Sequence, residues 1–302
     1  MDLKNKLIGH TASFTVYAIF GFNIIVCKDI ATSNYISPIA LFFLRSLFAG
    51  SLFWLVSLFA PEEKVDKKDF VRIFAASVLG FFFTQMTFLM AIPVITPMDC
   101  SIITALMPIF TMFIAAIALK EPVTSKKIGG VLVSFCGILL LIFNSVSATS
   151  GTAETEPIGI VLIVLNCICF SSYLGIFKPL ISKYSPVTFM KWIFLFSTIL
   201  SLPLAGKEVI SIRYGALPLS FVLELMYLII FATFIAYFLL PVGQRRIRPT
   251  LVSMYTYMQP IIATSVSIAI GMDTLNWQKI LSAVMVFGGV VLVSRSRSRT
   301  ER

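Results

Sequence analysis

The chain has 302 residues, 58% of them hydrophobic and 13% charged, with a mean hydropathy of +0.95 and a formal net charge of +10. So much apolar surface cannot be hidden in the core of a water-soluble domain of this length, which makes the lipid bilayer the solvent. The positive charge does not imply a nucleic-acid partner, because the basic residues fall in the gaps between apolar runs, where they set topology.

Met1–Lys6 followed by an apolar run resembles a signal peptide, but the run is too long and no small-residue cleavage site follows it closely, so it is read as the first span. Ten stretches have about the ~20 residues needed to cross the hydrocarbon core, near 7–27, 38–60, 70–91, 96–119, 126–146, 157–177, 186–205, 218–240, 249–270 and 277–294. Their apolar residues do not alternate, and lipid satisfies no free backbone groups, so an all-α integral membrane fold of ten transmembrane helices is expected rather than a barrel. Alternate loops divide the lysines and arginines unequally. Lys28, Lys207, Arg213 and Lys279 lie on one side, while eighteen from Lys4 to Arg302 lie on the other, which puts both termini in the cytoplasm of an inner (plasma) membrane. The Ser-Arg alternation over 294–299 reads as a basic stop after the last span, with an RNA-binding tail as the alternative.

Sliding the sequence against itself by 152 residues aligns the fourth and fifth spans with the ninth and tenth. Pro97 meets Pro249, Ser101 meets Ser253, Thr104 meets Thr256, Pro108 meets Pro260, Phe135 meets Phe287 and Gly137 meets Gly289. Matches at one offset indicate a duplication. The organisation expected is therefore a first five-helix repeat over 1–146, an extracytoplasmic linker over 147–156 and a second repeat over 157–302. Five is odd, so the two halves enter the membrane from opposite sides and are inverted, a recurring design of secondary transporters.

Pro108-Ile-Phe with Lys120-Glu121 in the first half, and Gln259-Pro260-Ile with Asp273 in the second, together with Lys-Ile-Gly-Gly and a glycine-containing apolar helix, resemble the EamA family of the drug/metabolite transporter superfamily. The resemblance covers nearly the whole chain. It implies ten spans, cytoplasmic termini and export or exchange of amino acids or other small metabolites. Two departures stand out: Asp273 replaces a more usual glutamate, and Lys191 lies five residues after Pro186 where the family more often carries a neutral polar residue, an expected mark of substrate preference.

Pro108 and Pro260 each free a carbonyl four residues earlier, at Thr104 and Thr256. A simple kink is one reading; interrupted helices at matching positions of two halves, lining a central site, is the other. Tyr17, Asn23, Gln85, Asn166, Tyr173, Tyr237, Tyr255, Tyr257 and Gln259 supply neutral polar groups near mid-depth, either as glue between helices or as the wall of a cavity suited to amphipathic zwitterions. Arg45 lies about 10 Å inside the second span at ~1.5 Å per residue, to be read as a structural bond or as a receptor for a carboxylate. Lys191 lies roughly 8 Å inside the seventh, snorkelling or forming an inverted counterpart to Arg45. Asp99 and Glu224 are read as helix caps, so no carboxylate relay for proton coupling is expected. One histidine, His10, and five scattered cysteines give neither a metal centre nor a catalytic constellation, and no cofactor or enzymatic activity is expected. The leading reading is a small-metabolite carrier working by alternating access, with a non-transporting membrane scaffold as the alternative.

Overall fold

The computed structural model describes residues 3–119, 125–147, 155–272 and 274–294, and every regular element among them is helical. The first half runs through α1 (Leu3–Ser33) and α2 (Pro38–Ser57). Next comes a long rod made of α3 (Lys67–Ser77), a π-helical segment (Val78–Phe83) and α4 (Thr84–Ala91). α5 (Pro97–Thr104) and α6 (Met107–Leu119) are two parts of one interrupted helix, and α7 (Ser125–Ser147) follows. The second half repeats the order: α8 (Pro157–Ile176), a short α9 (Lys178–Lys183), α10 (Pro186–Ser211), and a rod of α11 (Leu219–Ile229), a π-helical segment (Ile230–Ile235) and α12 (Ala236–Arg246). α13 (Pro249–Met254) and α14 (Met258–Ala269) flank a 3-10 turn, and α15 (Trp277–Ser294) closes the order.

Seven stretches among the described residues are long and apolar enough to cross a membrane: Lys4–Ser33, Pro38–Ser57, Lys67–Val94, Pro97–Ile114, Pro157–Ile176, Pro186–Ser211 and Leu219–Arg246. Several outrun the expected boundaries. The first continues to Ser33 rather than 27, the seventh to Ser211 rather than 205 and the eighth to Arg246 rather than 240, because helices continue past the apolar run into polar turns such as Lys28-Asp29. Prolines open α2, α5, α8, α10 and α13 at the first helical position, where the missing N–H would have had no partner. Ser37, Thr96 and Ser185 cap three of these helices by accepting from Ala40, Asp99 and Thr188 N–H. Lys120, Glu121, Asp273, most of the 147–156 linker and the Ser-Arg tail past Ser294 lie outside the described residues.

The duplication is visible in the irregularities. The two π-helical segments begin at Val78 and Ile230, a separation equal to that of the bonded pair Gln85 and Tyr237, 152 residues apart. The interruption between α5 and α6 recurs as the turn between α13 and α14. Packing repeats too: α1 lies against α12 and α14 as α8 lies against α4 and α6, while α2 pairs with α10 and α7 with α15.

The α7–α15 crossing is self-complementary. A Cβ on Gly137 would sit 2.9 Å from Met285 Cβ, and one on Gly289 2.2 Å from Ser134 Oγ and 2.3 Å from the Gly130 carbonyl. Small residues bring the two backbones close enough for Ser134 Oγ to donate to the Val286 carbonyl at 3.1 Å. Gly289→Val is expected to force the helices apart, costing about 1–3 kcal/mol and lowering the melting temperature of the detergent-purified protein. Gly288→Val, at a position with nothing within 4 Å, should leave the melt unchanged; equal melts for both would contradict this packing.

Candidate functional site

The helix interruptions and the two π-helical rods converge on one interior cavity. Tyr17, Phe20, Asn23 and Ile24 reach it from α1, Thr84, Gln85 and Phe88 from α4, and Thr104 and Met107 from either side of the α5–α6 break. Asn166 and Phe170 of α8, Tyr237 of α12 and Gln259 of α14 complete the wall. Gln85 Nε2 donates to Tyr237 Oη at 2.8 Å. These two are counterparts at the 152-residue offset, as are Met107 and Gln259, so the cavity straddles the relation between the halves.

Among the described residues, no charged side chain lines this cavity. Asn166 Nδ2 is committed to the Thr84 carbonyl at 2.6 Å, while Thr84 Oγ1 donates to the Leu79 carbonyl at 2.6 Å inside the π-helical turn. Tyr17 Oη and Thr256 Oγ1 both point to Met107 Sδ, at 4.0 and 3.6 Å. Among the described residues lining the cavity, two buried acceptors have no partner: Gln85 Oε1 and Gln259 Oε1. A buried amide oxygen without a donor costs about 1–3 kcal/mol, so the cavity is arranged to accept hydrogen bonds from a guest. Its free volume is about 50 Å³, room for a few waters, and a metabolite requires the surrounding helices to separate.

Six of the eleven sequence-selected polar residues, Tyr17, Asn23, Gln85, Asn166, Tyr237 and Gln259, face this space, and Pro108 and Pro260 mark the interruptions beside it. The other five do not line it. Tyr257 packs against Phe287, the ring centres 5.6 Å apart. Tyr173 is 2% exposed and lies across Gly80 in the π-helical segment, whose added Cβ would meet its ring at 2.2 Å. Tyr255 Oη pairs with His10 Nδ1 at 2.8 Å. Lys191 Nζ lies 4.8 Å from the Trp54 ring centre, a cation–π contact on a half-buried side chain. Arg45 is fully buried, and its Nε donates to Thr233 Oγ1 at 2.9 Å. Arg45 and Lys191 therefore do not share a site. One cap reading holds and one changes. Thr96 caps α5 with Asp99 in the first turn, and Asp99 also takes a hydrogen bond from Thr155 and meets Lys279 Nζ at 3.7 Å; Glu224 lies past the first turn of α11 and lines a surface pocket with Asp29 of α1. Sequence reasoning passed over Phe20, Ile24, Thr84, Phe88, Thr104, Met107 and Phe170. Thr104 and Met107 carried a signal, being the counterparts of Thr256 and Gln259.

At the two ends of the α2–α10 pair the halves are joined by matching contacts. At one end Ser37, the cap of α2, donates to Glu208 Oε2 near the end of α10. At the other, the N–H of Ser185, the cap of α10, donates to both carboxylate oxygens of Glu63 beyond the end of α2, at 3.2 and 2.9 Å. This second end, which carries most of the basic residues, has further ties. Tyr184 Oη donates to Asp69 Oδ2 at 2.7 Å, Lys183 Nζ reaches the same oxygen at 2.6 Å and also bonds Asp66, and Asp66 N–H donates to Tyr184 Oη at 3.1 Å. Burial alone would raise the Glu63 pKa, but hydrogen bonds from the Ser185 backbone and from the Thr188 and Ser185 hydroxyls outweigh it and hold the carboxyl below its ordinary range. The hydrogen bonds to Asp66 and Asp69 push the Lys183 ammonium up.

The Ser37 end is looser. A vestibule with a free volume of about 370 Å³ opens there between α1, the start of α2 and the end of α4, lined by Cys27, Ile30, Leu41, Leu89 and neighbours. Asn34, in the left-handed region with φ of 58°, turns the chain at its rim. Lys28 Nζ ties the rim together by donating to the carbonyls of Ile92 and Pro93 at 3.0 and 2.9 Å.

This architecture is shared. A model of the EamA-like transporter family matches the chain twice, over residues 7–143 and 157–295. An uncharacterized transporter of Archaeoglobus fulgidus is 24% identical over 264 residues, covering 87% of this chain and 91% of that protein. The uncharacterized transporters YyaM and YetK of Bacillus subtilis are 20% and 25% identical, over 87% and 82% of this chain and 86% and 75% of their own lengths. A solved protein crystal structure superposes with a TM-score of 0.65 at 16% identity, over 97% of this chain and 98% of that one. With both halves matched, the chain belongs to the EamA-like transporter family and is a membrane transporter.

Proposed function

We propose that this transporter carries small amphipathic metabolites, amino acids or similar solutes, by alternating access, as an exporter or exchanger of the inner (plasma) membrane. Ten spans form two inverted five-helix repeats with both termini in the cytoplasm, so the basic end carrying Glu63 and Ser185 faces inward and the vestibule faces outward. The observation that carries the reading is the pairing of repeat counterparts around one neutral cavity: Gln85 with Tyr237, bonded at 2.8 Å, and Met107 with Gln259. A site on the relation between inverted halves is presented to either compartment when the halves exchange conformations. The unpartnered Gln85 and Gln259 carbonyls favour a guest with ammonium or hydroxyl donors, and Phe20, Phe88 and Phe170 favour one with an apolar part.

The test is counterflow in proteoliposomes. Vesicles preloaded with one solute from a panel of amino acids and small metabolites should accumulate the labelled solute transiently, saturably and only when the protein is present. A scaffold would give no saturable counterflow with any solute of the panel, and that result would overturn the carrier reading.

A further inference from the structure

We propose that Arg45 is a carboxylate receptor beneath the floor of the vestibule, and that it admits to the central cavity solutes that bear a compact negative group. The inference deepens the carrier reading and rests on it, but it concerns a separate group of residues, none of which lines the cavity.

Arg45 is 1% exposed in the middle of α2, and no carboxylate pairs with it among the described residues. Its Nε is held by Thr233 Oγ1 at 2.9 Å and its Nη1 lies 3.8 Å from Cys27 Sγ, while Nη2 has no partner. Thr233 is itself fixed, its hydroxyl donating to the Leu228 carbonyl at 2.6 Å within the second π-helical segment. Two protein contacts thus orient the guanidinium, and neither neutralises it. A buried cation in a lipid-spanning bundle costs several kcal/mol unless an anion or water meets it. The compensating charge is then expected from outside the chain.

Position says from where. Leu41, which lines the vestibule, is one helical turn before Arg45 on the same face of α2. Cys27, also in the vestibule wall, touches the guanidinium, and its thiol lies 3.5 Å from Asn23 Oδ1, one turn along α1 and in the wall of the central cavity. Vestibule, Cys27, Arg45, Asn23 and cavity therefore follow one another in space. A solute passing from vestibule to cavity slides by a guanidinium that is, among the described residues, the one buried with an open donor. A carboxylate suits it, since it accepts two parallel N–H bonds from the fork. The nearby ammonium of Lys28 already serves two backbone carbonyls at the rim.

The test uses three-carbon probes of equal size and different charge, propionate, propionamide and propylammonium, with chloride at matched ionic strength. Propionate should raise the melting temperature of the purified full-length protein saturably, and the amide, the ammonium and chloride should not. Arg45→Gln should abolish the shift and Arg45→Lys should weaken apparent affinity about tenfold or more, because an ammonium cannot form the bidentate pair. Should Arg45→Gln fail to fold, a protein retaining Arg45, with Cys27 as its sole cysteine, answers instead: propionate should slow alkylation of Cys27 by N-ethylmaleimide and propionamide should not. Equal stabilisation by chloride, an undiminished propionate shift in Arg45→Gln, or unprotected Cys27 would each overturn the proposal. Failure of the two readings is distinguishable. Counterflow of carboxylate-bearing solutes undiminished in Arg45→Gln leaves the carrier standing and removes the receptor, whereas propionate binding without counterflow of any solute leaves the receptor and removes the carrier.

Discussion

Replacing Gln259 by alanine lowers counterflow of the transported solute by about tenfold or more, with the protein inserted and folded as before. The two effects separate because of what the side chain does in the absence of solute. Gln259 Oε1 is buried without a donor, so truncating the side chain removes an unsatisfied acceptor and should leave stability nearly unchanged. In the presence of solute the same oxygen supplies a hydrogen bond in a water-poor cavity, and losing it costs about 1–3 kcal/mol, close to one or two powers of ten in binding. Gln85→Ala should show the same loss of flux with a lower melting temperature, because its Nε2 also holds Tyr237 Oη at 2.8 Å and the truncation orphans that hydroxyl. The measurements are initial counterflow rates and melts of both variants. Normal flux in both would remove these amides from the binding site.

The sequence made the duplication plain, because the second half copies the first at a fixed offset, and it made most of the spans plain, because lipid demands long apolar helices: seven of the ten expected are long and apolar enough to cross a membrane among the described residues. It also located the interruptions, since Pro108 and Pro260 lack the N–H that a continuous helix needs. What it could not supply was azimuth. A helix that is apolar all round has no polar face to betray which side meets the cavity, so depth alone put Arg45, Tyr173, Lys191 and Tyr255 beside Gln85 and Gln259. In the structure Tyr173 turns toward Gly80 and Lys191 toward Trp54. The π-helical segments, which add a residue to each rod and so rotate Gln85 and Tyr237 inward, have no composition that sets them apart from ordinary apolar helix. The contacts of Ser37 with Glu208 and of Glu63 with Ser185 join residues 171 and 122 positions apart and leave no local trace.

Those two contacts carry the other large effect. Each joins the cap of one helix to a glutamate near or beyond the end of its counterpart, and the two lie at opposite ends of the α2–α10 pair. Alternating access requires α2 and α10 to part at one end while they stay joined at the other, so a covalent tie at either end should stop the cycle. In a protein whose five cysteines are replaced by serine, Ser37→Cys with Glu208→Cys, bridged by a short bifunctional thiol reagent with a cleavable centre, should lose counterflow to background. Reductive cleavage should restore it. Glu63→Cys with Ser185→Cys should behave alike. The native ties differ in strength, with Tyr184, Asp69 and Lys183 added only beside Glu63. A carboxyl held below its ordinary pKa stabilises the joined form at every pH above that ordinary value and loses this contribution only as pH falls through the depressed one. The Glu63 tie therefore persists through neutral pH and must be broken by the motion rather than by protonation, which is why bridging it should be costly to transport. Full flux with both bridges in place would mean that α2 and α10 do not separate at these ends, and the movement would have to be sought elsewhere in the bundle.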